Sequence, residues 1–321
     1  MDNLKEMLNK SVYDRVKNSD RLVGCFLSGG LDSSLVCSIA AKIKPDIHCF
    51  SVGMKDSMDI EAAKRVAKFC GIKNHHIVNF TVEEGLAVIP DLIHTLETYD
   101  ITTIRASVGQ YILSKYISEN TNVKVLLTGE IIDEIQGYYL FSFCKTNDQF
   151  EQLARTMLKE LYQFDLLRGD RTTARFGLEI RLPFGSKEFL RFLCNVNTEF
   201  KKFGYTTKDE NGEDKYVMEK LLIRDSFNDG KHLPLEILYR RKMAFSDAID
   251  TYDKEGNKKV CFYEEVEKHA KLSLLEDGYN LEEMKEKFEG KNPPTSYEAL
   301  YYRLIFEQNY HNRSNMIDHI W

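Results

Sequence analysis

Apolar and polar positions alternate along the first half of the chain in two rhythms. Short runs rich in β-forming residues lie at Leu22 to Leu27, Ile47 to Val52, His76 to Phe80 and Val123 to Leu127. Between them, Ser34 to Lys42, Asp59 to Cys70, Val82 to Thr98 and Ala106 to Glu119 carry apolar residues at helical spacing. Strands that alternate with helices predict an α/β fold, a parallel twisted sheet with helices on both faces. Ligands of such sheets collect beyond the carboxyl ends of the strands. Here those ends carry Ser28-Gly29-Gly30, Gly53 and Thr128-Gly129-Glu130, which is where a site is expected.

The second half changes character. Helical spacing dominates from Gln149 to Arg175, Met218 to Phe227 and Ser296 to Tyr310, so a nucleotide-binding core over 1–145 and a mostly helical part over 146–321 are expected. The polar, Gly-containing stretch from Thr206 to Asp214 reads as a surface loop or hairpin tip, and Asp250 to Lys258 as a second exposed connection.

Composition narrows the function classes. With 321 residues, 43% apolar and 29% charged, the chain has the make-up of a globular protein that buries a sizeable core. No run approaches the ~20 apolar residues of a membrane helix. The start, Met1-Asp2-Asn3-Leu4-Lys5-Glu6, has neither a basic nor an apolar leader, so a cytoplasmic location is expected, with no membrane partner. A net charge of -6 leans against nucleic acid as a partner. The seven cysteines are scattered and form no C-x-x-C pair, which suggests neither a disulfide framework nor a zinc or iron–sulfur site. Cys25, Cys37 and Cys49 lie in apolar runs, as small buried hydrophobes do. His75-His76 is read as surface and His94 as structural.

The strongest chemistry lies at Ser28-Gly29-Gly30-Leu31-Asp32-Ser33-Ser34. Adjacent glycines let backbone N–H groups approach an anion, and the start of a helix adds partial positive charge. The Gly-Lys-Ser/Thr ending of a Walker loop is missing, so the pattern suits pyrophosphate rather than a transferred γ-phosphate, with Asp32 available to Mg²⁺. The bland alternative, a glycine turn with Asp32 or Ser33 as helix cap, explains fewer of the seven residues.

Thr128-Gly129-Glu130-Ile131-Ile132-Asp133-Glu134 follows a strand, and a helix opening there would put Glu130, Asp133 and Glu134 on one face. Such carboxylates suit Mg²⁺ bound with ATP, or a base for a nitrogen nucleophile; acids also favour a first helical turn through the macrodipole. Thr102-Thr103-Ile104-Arg105-Ala106-Ser107 sets an arginine and hydroxyls just before a helix. That arginine either clamps a carboxylate or is a surface residue beside a capped helix.

Together these stretches resemble the synthetase domain of glutamine-hydrolysing asparagine synthetases, over nearly the whole chain. The resemblance extends through Glu97 to Ser107, Gly177 to Phe184, Arg241 to Asp247 and Pro294 to Glu307; the Ser-Gly-Gly-x-Asp-Ser loop alone marks the wider ATP-pyrophosphatase superfamily, with its adenine nucleotide alpha hydrolase-like fold. The resemblance implies adenylation of the aspartate side chain by ATP with loss of pyrophosphate, then displacement of AMP by ammonia. It also implies roles. Ser28, Gly29, Gly30, Asp32, Ser33 and Ser34 would bind pyrophosphate, and Leu27, Val52 and Gly129 the nucleotide. Asp32 and Asp133 would hold Mg²⁺, Lys242 would offset phosphate charge, and Glu130 would assist ammonia. Thr102, Thr103 and Arg105 would address aspartate.

The chain also departs from the family's pattern. It has no N-terminal cysteine or glutaminase domain, so ammonia is the expected nitrogen donor, free or supplied by a separate glutaminase subunit. Ile131 stands where the family usually has a glycine, adding a β-branched side chain beside the phosphates and removing an easy positive φ. Gly185-Ser186 replaces the family's Leu-Asp, losing a carboxylate, and Gln136-Gly137-Tyr138 replaces Phe-Gly-Gly. An adenylating amide synthetase for another carboxylate, or an inactive ATP-binding paralogue, are the competing readings.

Overall fold

A computed structural model of the chain describes residues 2–201, 207–208, 214–215, 219–240, 250–252, 258–317 and 320. Its centre is a five-stranded parallel sheet of β1 (Leu22–Phe26), β2 (His48–Gly53), β3 (Asn74–Asn79), β4 (Val123–Leu127) and β5 (Glu179–Arg181), in the order β3-β2-β1-β4-β5. The four strands expected from the apolar runs are present within two residues at either end. The fifth was not anticipated: three residues of mixed polarity carry no strand signature. Because β5 pairs with β4, the sheet draws on residues beyond 145.

Side chains alternate across the sheet. On one face Val23, Cys25, Leu27, Cys49, Val125 and Leu127 pack with α1 (Asp2–Lys17), α2 (Leu31–Ile43) and α3 (Met58–Phe69). On the other, Phe50, Val52, Val123 and Leu126 meet α4 (Val82–Leu96) and α5 (Ile101–Asn120). Burial on both faces explains why β1, β2 and β4 read as nearly continuous apolar runs rather than strict alternation. β3, at the edge, is only half-buried.

The order of the strands locates the site. From β1 the chain winds one way to β2 and β3, and β4 and β5 lie on the other side of β1. The reversal leaves a crevice between the carboxyl ends of β1 and β4, the position where open α/β sheets bind ligands. Ser28 to Gly30 and Thr128 to Glu130 meet there.

Beyond β4 come α6 (Ile132–Gln136), α7 (Asn147–Glu160), α8 (Asp165–Ala174), α9 (Lys187–Asn195), α10 (Leu221–Ser226), α11 (Leu235–Leu238), α12 (Phe262–Glu276), α13 (Leu281–Lys287) and α14 (Tyr297–Asn309). The helical reading of the second half therefore holds outside β5 and two short hairpins. Thr207–Lys208 pairs antiparallel with Asp214–Lys215, in keeping with the expected hairpin. The other connection differs from expectation at its ends: Thr251–Tyr252 pairs with Lys258–Val260, and Asp250 is fully buried, accepting from Phe262 N at 2.9 Å. His75 and His76 also prove half-buried rather than surface, because they lie inside β3. His75 meets Ser51 Oγ at 2.8 Å and His76 meets His48 at 3.0 Å. His94 is exposed and stacks on Tyr310. No helix among the described residues is long and apolar enough to cross a membrane.

Candidate active site

The phosphate loop is built by close approach of backbone. Gly29 has φ 77°, and a Cβ on it would stand 2.6 Å from Ala62 Cβ and from Ala63 N of α3. A Cβ on Gly129 would stand 2.5 Å from Ser33 N, so the end of β4 rests directly on the first turn of α2. Both positions admit glycine alone. Ser28 and Ser33 then close the turn: Ser28 N donates to Ser33 Oγ at 3.1 Å, the two hydroxyls lie 2.8 Å apart, and Gly30 N donates to Ser28 Oγ at 3.2 Å. Gly30 caps α2 in an extended conformation, and Ser34 N makes the first helical bond, to Gly30 O at 3.1 Å, which leaves Asp32 and Ser33 in the first turn, where helix N–H groups lack intrahelical partners. Leu27 and Val52, at the ends of neighbouring strands, are buried on opposite faces of the sheet, with Ser51 Oγ donating to Leu27 O at 2.5 Å.

Asp32 and Asp133 come together at one cation. Lys220 Nζ lies 2.6 Å from Asp32 Oδ2 and 2.5 Å from Asp133 Oδ1, with the lysine side chain 1% exposed. Lys220 is the αL residue before α10, with φ 62°. It is held there by its neighbours: Arg224, wholly buried, donates Nη2 to Glu219 Oε1 at 2.6 Å and Nε to Glu219 O at 2.7 Å. Arg224 Nη1 reaches on to Leu238 O and Arg240 O, and Arg240 Nη1 donates to Gly29 O at 3.0 Å and pairs with Asp59 Oδ1 at 2.7 Å. Residues 219–240 thus form a brace that delivers one cation to the two carboxylates and a second to the back of the loop. Sequence reasoning missed Lys220, Arg224 and Arg240; their only signal is a dense set of basic residues around short helices. Lys242, which the resemblance singled out, lies outside the described residues.

The acidic stretch differs from expectation. Helix α6 starts at Ile132, so Glu130 is not on its face with Asp133 and Glu134. The cause is Ile131, whose φ of 86° and ψ of −30° interrupt the helix before it. For a β-branched residue this conformation costs about 1–3 kcal/mol. Glu130 turns instead toward α8, where Arg168 Nη2 lies 3.4 Å from its Oε1 and 2.9 Å from Asp165 Oδ1. A Cβ on Gly169 would stand 2.8 Å from Glu130 Oε2, so the glycine gives the carboxylate its space. Burial works against the charge of Arg168, but Asp165, Glu130, Glu134 and Asp133 outweigh it and hold the guanidinium more firmly protonated than usual.

Thr102, Thr103 and Arg105 lie within α5 rather than before it, because Asp100 caps the helix by accepting from Thr103 N at 2.7 Å. Twenty residues give α5 a length of roughly 30 Å, longer than the strands it packs on. It runs antiparallel to them into β4, so its first turns stand on the same edge of the sheet as the phosphate loop. Thr103 is buried and Thr102 exposed. Arg105 donates Nε to Glu298 Oε1 at 2.8 Å and Nη2 to Glu298 Oε2, and lies 4.6 Å from the ring centre of Tyr263. Burial works against its charge, and Glu298 reverses the balance.

The carboxylates of Asp32 and Asp133 are hard oxygen donors that already converge on one positive charge, and Asp32 Oδ1 is buried with no hydrogen-bond partner among the described residues. This donor set fits Mg²⁺. Cys25, Cys37 and Cys49 have their sulfur atoms within 4.8 Å of one another in the core. Burial pushes the thiols of Cys25 and Cys37 well up, whereas hydrogen bonds from those two thiols draw Cys49 well down.

Known proteins resemble this chain along its whole length. The chain is 43% identical to a probable glutamine-hydrolysing asparagine synthetase of Acanthamoeba polyphaga mimivirus, over 99% of this chain and 53% of that protein. It is 39% identical to the glutamine-hydrolysing asparagine synthetase of Rattus norvegicus, over 100% of this chain and 54% of that protein. It thus spans about half the length of these relatives. Among solved structures, an NH3-dependent NAD synthetase from Campylobacter jejuni aligns with 64% of this chain and 98% of its own, at 16% identity and a TM-score of 0.32. The model of the asparagine synthase family matches residues 3–150 and 142–304, and with that match the chain belongs to the asparagine synthase family.

Proposed function

We propose that this chain joins the side-chain carboxylate of aspartate to AMP at the expense of ATP, releasing pyrophosphate, and then forms asparagine by attack of ammonia on the adenylate. The observation that carries the reading is the seating of Lys220 between Asp32 and Asp133, at the first turn of α2 and beside the serine- and glycine-built loop that opens it. Anionic phosphates are favoured at that helix start, and cations aimed at them stabilise the charge that grows on a leaving pyrophosphate. Membership of the asparagine synthase family and the placing of Glu130 beside Arg168 support the same reading.

In this mechanism the loop from Ser28 to Ser34 binds the pyrophosphate portion of ATP, and Leu27, Val52 and Gly129 border the nucleotide. Asp32 and Asp133 would hold Mg²⁺, which neutralises phosphate charge when bound. Lys220, released from those carboxylates, stabilises the departing pyrophosphate, with Lys242 as a further cation. An aspartate carboxylate oxygen attacks the α-phosphorus as the bond to the β,γ-pyrophosphate breaks. Glu130, oriented by Arg168, takes a proton from the attacking nitrogen as AMP leaves. Thr102, Thr103 and Arg105 bind the amino-acid end of aspartate.

The test is a product assay with aspartate, ATP, Mg²⁺ and either ammonium or glutamine. Asparagine, AMP and pyrophosphate are expected in equal amounts with ammonium. ADP and phosphate as products, or turnover indifferent to aspartate, would overturn the reading. Another carboxylate that drives pyrophosphate release in aspartate's place would identify a related amide synthetase instead.

A further inference from the structure

Ile131 joins Glu130 to the helix that carries Asp133, through a backbone conformation that a β-branched residue holds only under constraint. The constraint stands across the site. A Cβ on Gly185 would be 2.8 Å from Ile131 Cδ1, 3.2 Å from Leu182 Cβ and 3.3 Å from Leu182 O. Ile131, 5% exposed, therefore fills the space that a side chain at 185 would need.

Two facts separate this contact from ordinary packing. Gly185 is not among the residues of positive φ, so a larger residue there would be opposed by space, at the Ile131 δ-methyl and Leu182, and not by backbone conformation. The backbone around it is also anchored. Gly185 N donates to Leu182 O at 3.1 Å, Ser11 Oγ to Pro183 O at 2.6 Å, and Ser186 caps α9 by accepting from Phe189 N at 3.1 Å. The receiving backbone is tied down, so a Cβ at 185 would be met by movement of the Ile131 δ-methyl.

We propose that Ile131 and Gly185 form a coupled positioning unit. The δ-methyl keyed over Gly185 holds residue 131 at positive φ, and this fixes Glu130 against Arg168 and Asp133 against Lys220.

Four proteins test the unit: wild type, G185A, I131V and I131V/G185A. Valine keeps the branched backbone preference but lacks the δ-methyl that a Cβ at 185 would meet. G185A is expected to lower kcat for aspartate-dependent pyrophosphate release by about fivefold or more, within the range of couplings between touching residues. I131V/G185A is expected to recover to within about twofold of I131V alone. A purely structural contact would lower the melting temperature and leave kcat of the folded protein unchanged, which would overturn the positioning role. Multiplicative effects of the two substitutions, or a G185A enzyme indistinguishable from wild type, would overturn the coupling. Should G185A fail to fold, recovery of folding in the double variant supports the proposal and its failure there overturns it. The kinetic arm rests on the adenylating reading given above; Mg–ATP affinity and melting, measured on the same four proteins, do not. A wild type without pyrophosphate release but with rescued ATP affinity in the double variant would therefore sink that reading and leave the coupling standing.

Discussion

Arg105 in the second turn of α5 and Glu298 in the first turn of α14 grip each other across 193 positions of sequence, through two parallel hydrogen bonds. Glu298 is fully buried and also accepts from Tyr302 Oη at 2.8 Å. The E298Q variant keeps the shape and removes the charge. It should lose roughly 1–3 kcal/mol of stability in urea denaturation, since buried donors lose their full partner. If Arg105 addresses aspartate, the KM for aspartate rises more than that for ATP. An unchanged aspartate KM in a destabilised protein would make Arg105 a structural tie.

Lys220 neutralises Asp32 and Asp133 from a buried position. K220M leaves two carboxylates facing each other and takes a cation from the leaving group. A fall in kcat of about 10²–10³-fold is expected, the size seen when one stabilising donor is removed from a developing charge. Pyrophosphate release within tenfold of wild type would exclude that role.

Arg240 holds the carbonyl of Gly29 from behind and pairs with Asp59. R240A frees the loop backbone and takes one cation from the buried Asp59 carboxylate. The KM for ATP should rise by about an order of magnitude, the effect of losing one charged hydrogen bond of roughly 1.5 kcal/mol. Unaltered ATP affinity would show that the glycines alone shape the loop.

Asp229 ties the stretch after α10 to α1. Burial alone would raise its pKa, but the Lys5 ammonium, the N–H of Lys231 and His232 overcome this and hold the carboxyl far below its ordinary range. The folded state therefore binds this proton less readily than the unfolded chain. The stability it contributes is present above about pH 4 and is lost as pH falls from there toward the lowered value. D229N should be less stable at pH 7 and show a shallower loss between pH 5 and pH 2 in urea titrations. Parallel curves for the two proteins would contradict this.

Much of the sheet was legible because β1, β2 and β4 are buried on both faces and so announce themselves as apolar runs. The phosphate loop was legible because its backbone path demands glycine at 29, beside a helix start rich in hydroxyls. β5 was not, since its three residues pair through backbone while only one is strongly apolar. The brace was not either: Lys220 owes its place to a buried Glu219–Arg224 pair, and nothing local in the sequence marks which of many lysines is buried. Glu130 was misplaced because helical spacing was read through Ile131, whose positive φ ends that periodicity.

The pairing of β5 with β4 sets an order on synthesis. Val125 and Glu179 are register partners, so a chain still emerging from the ribosome cannot finish its sheet until the α6–α8 segment between them has been made. During that interval β4 is an open edge, with unpaired backbone groups that other strands could join. Asp32 and Asp133 wait longer still, until residue 220 arrives. The nascent chain should therefore be most prone to aggregation after β4 has left the ribosome and before β5 has, and least once the brace has closed.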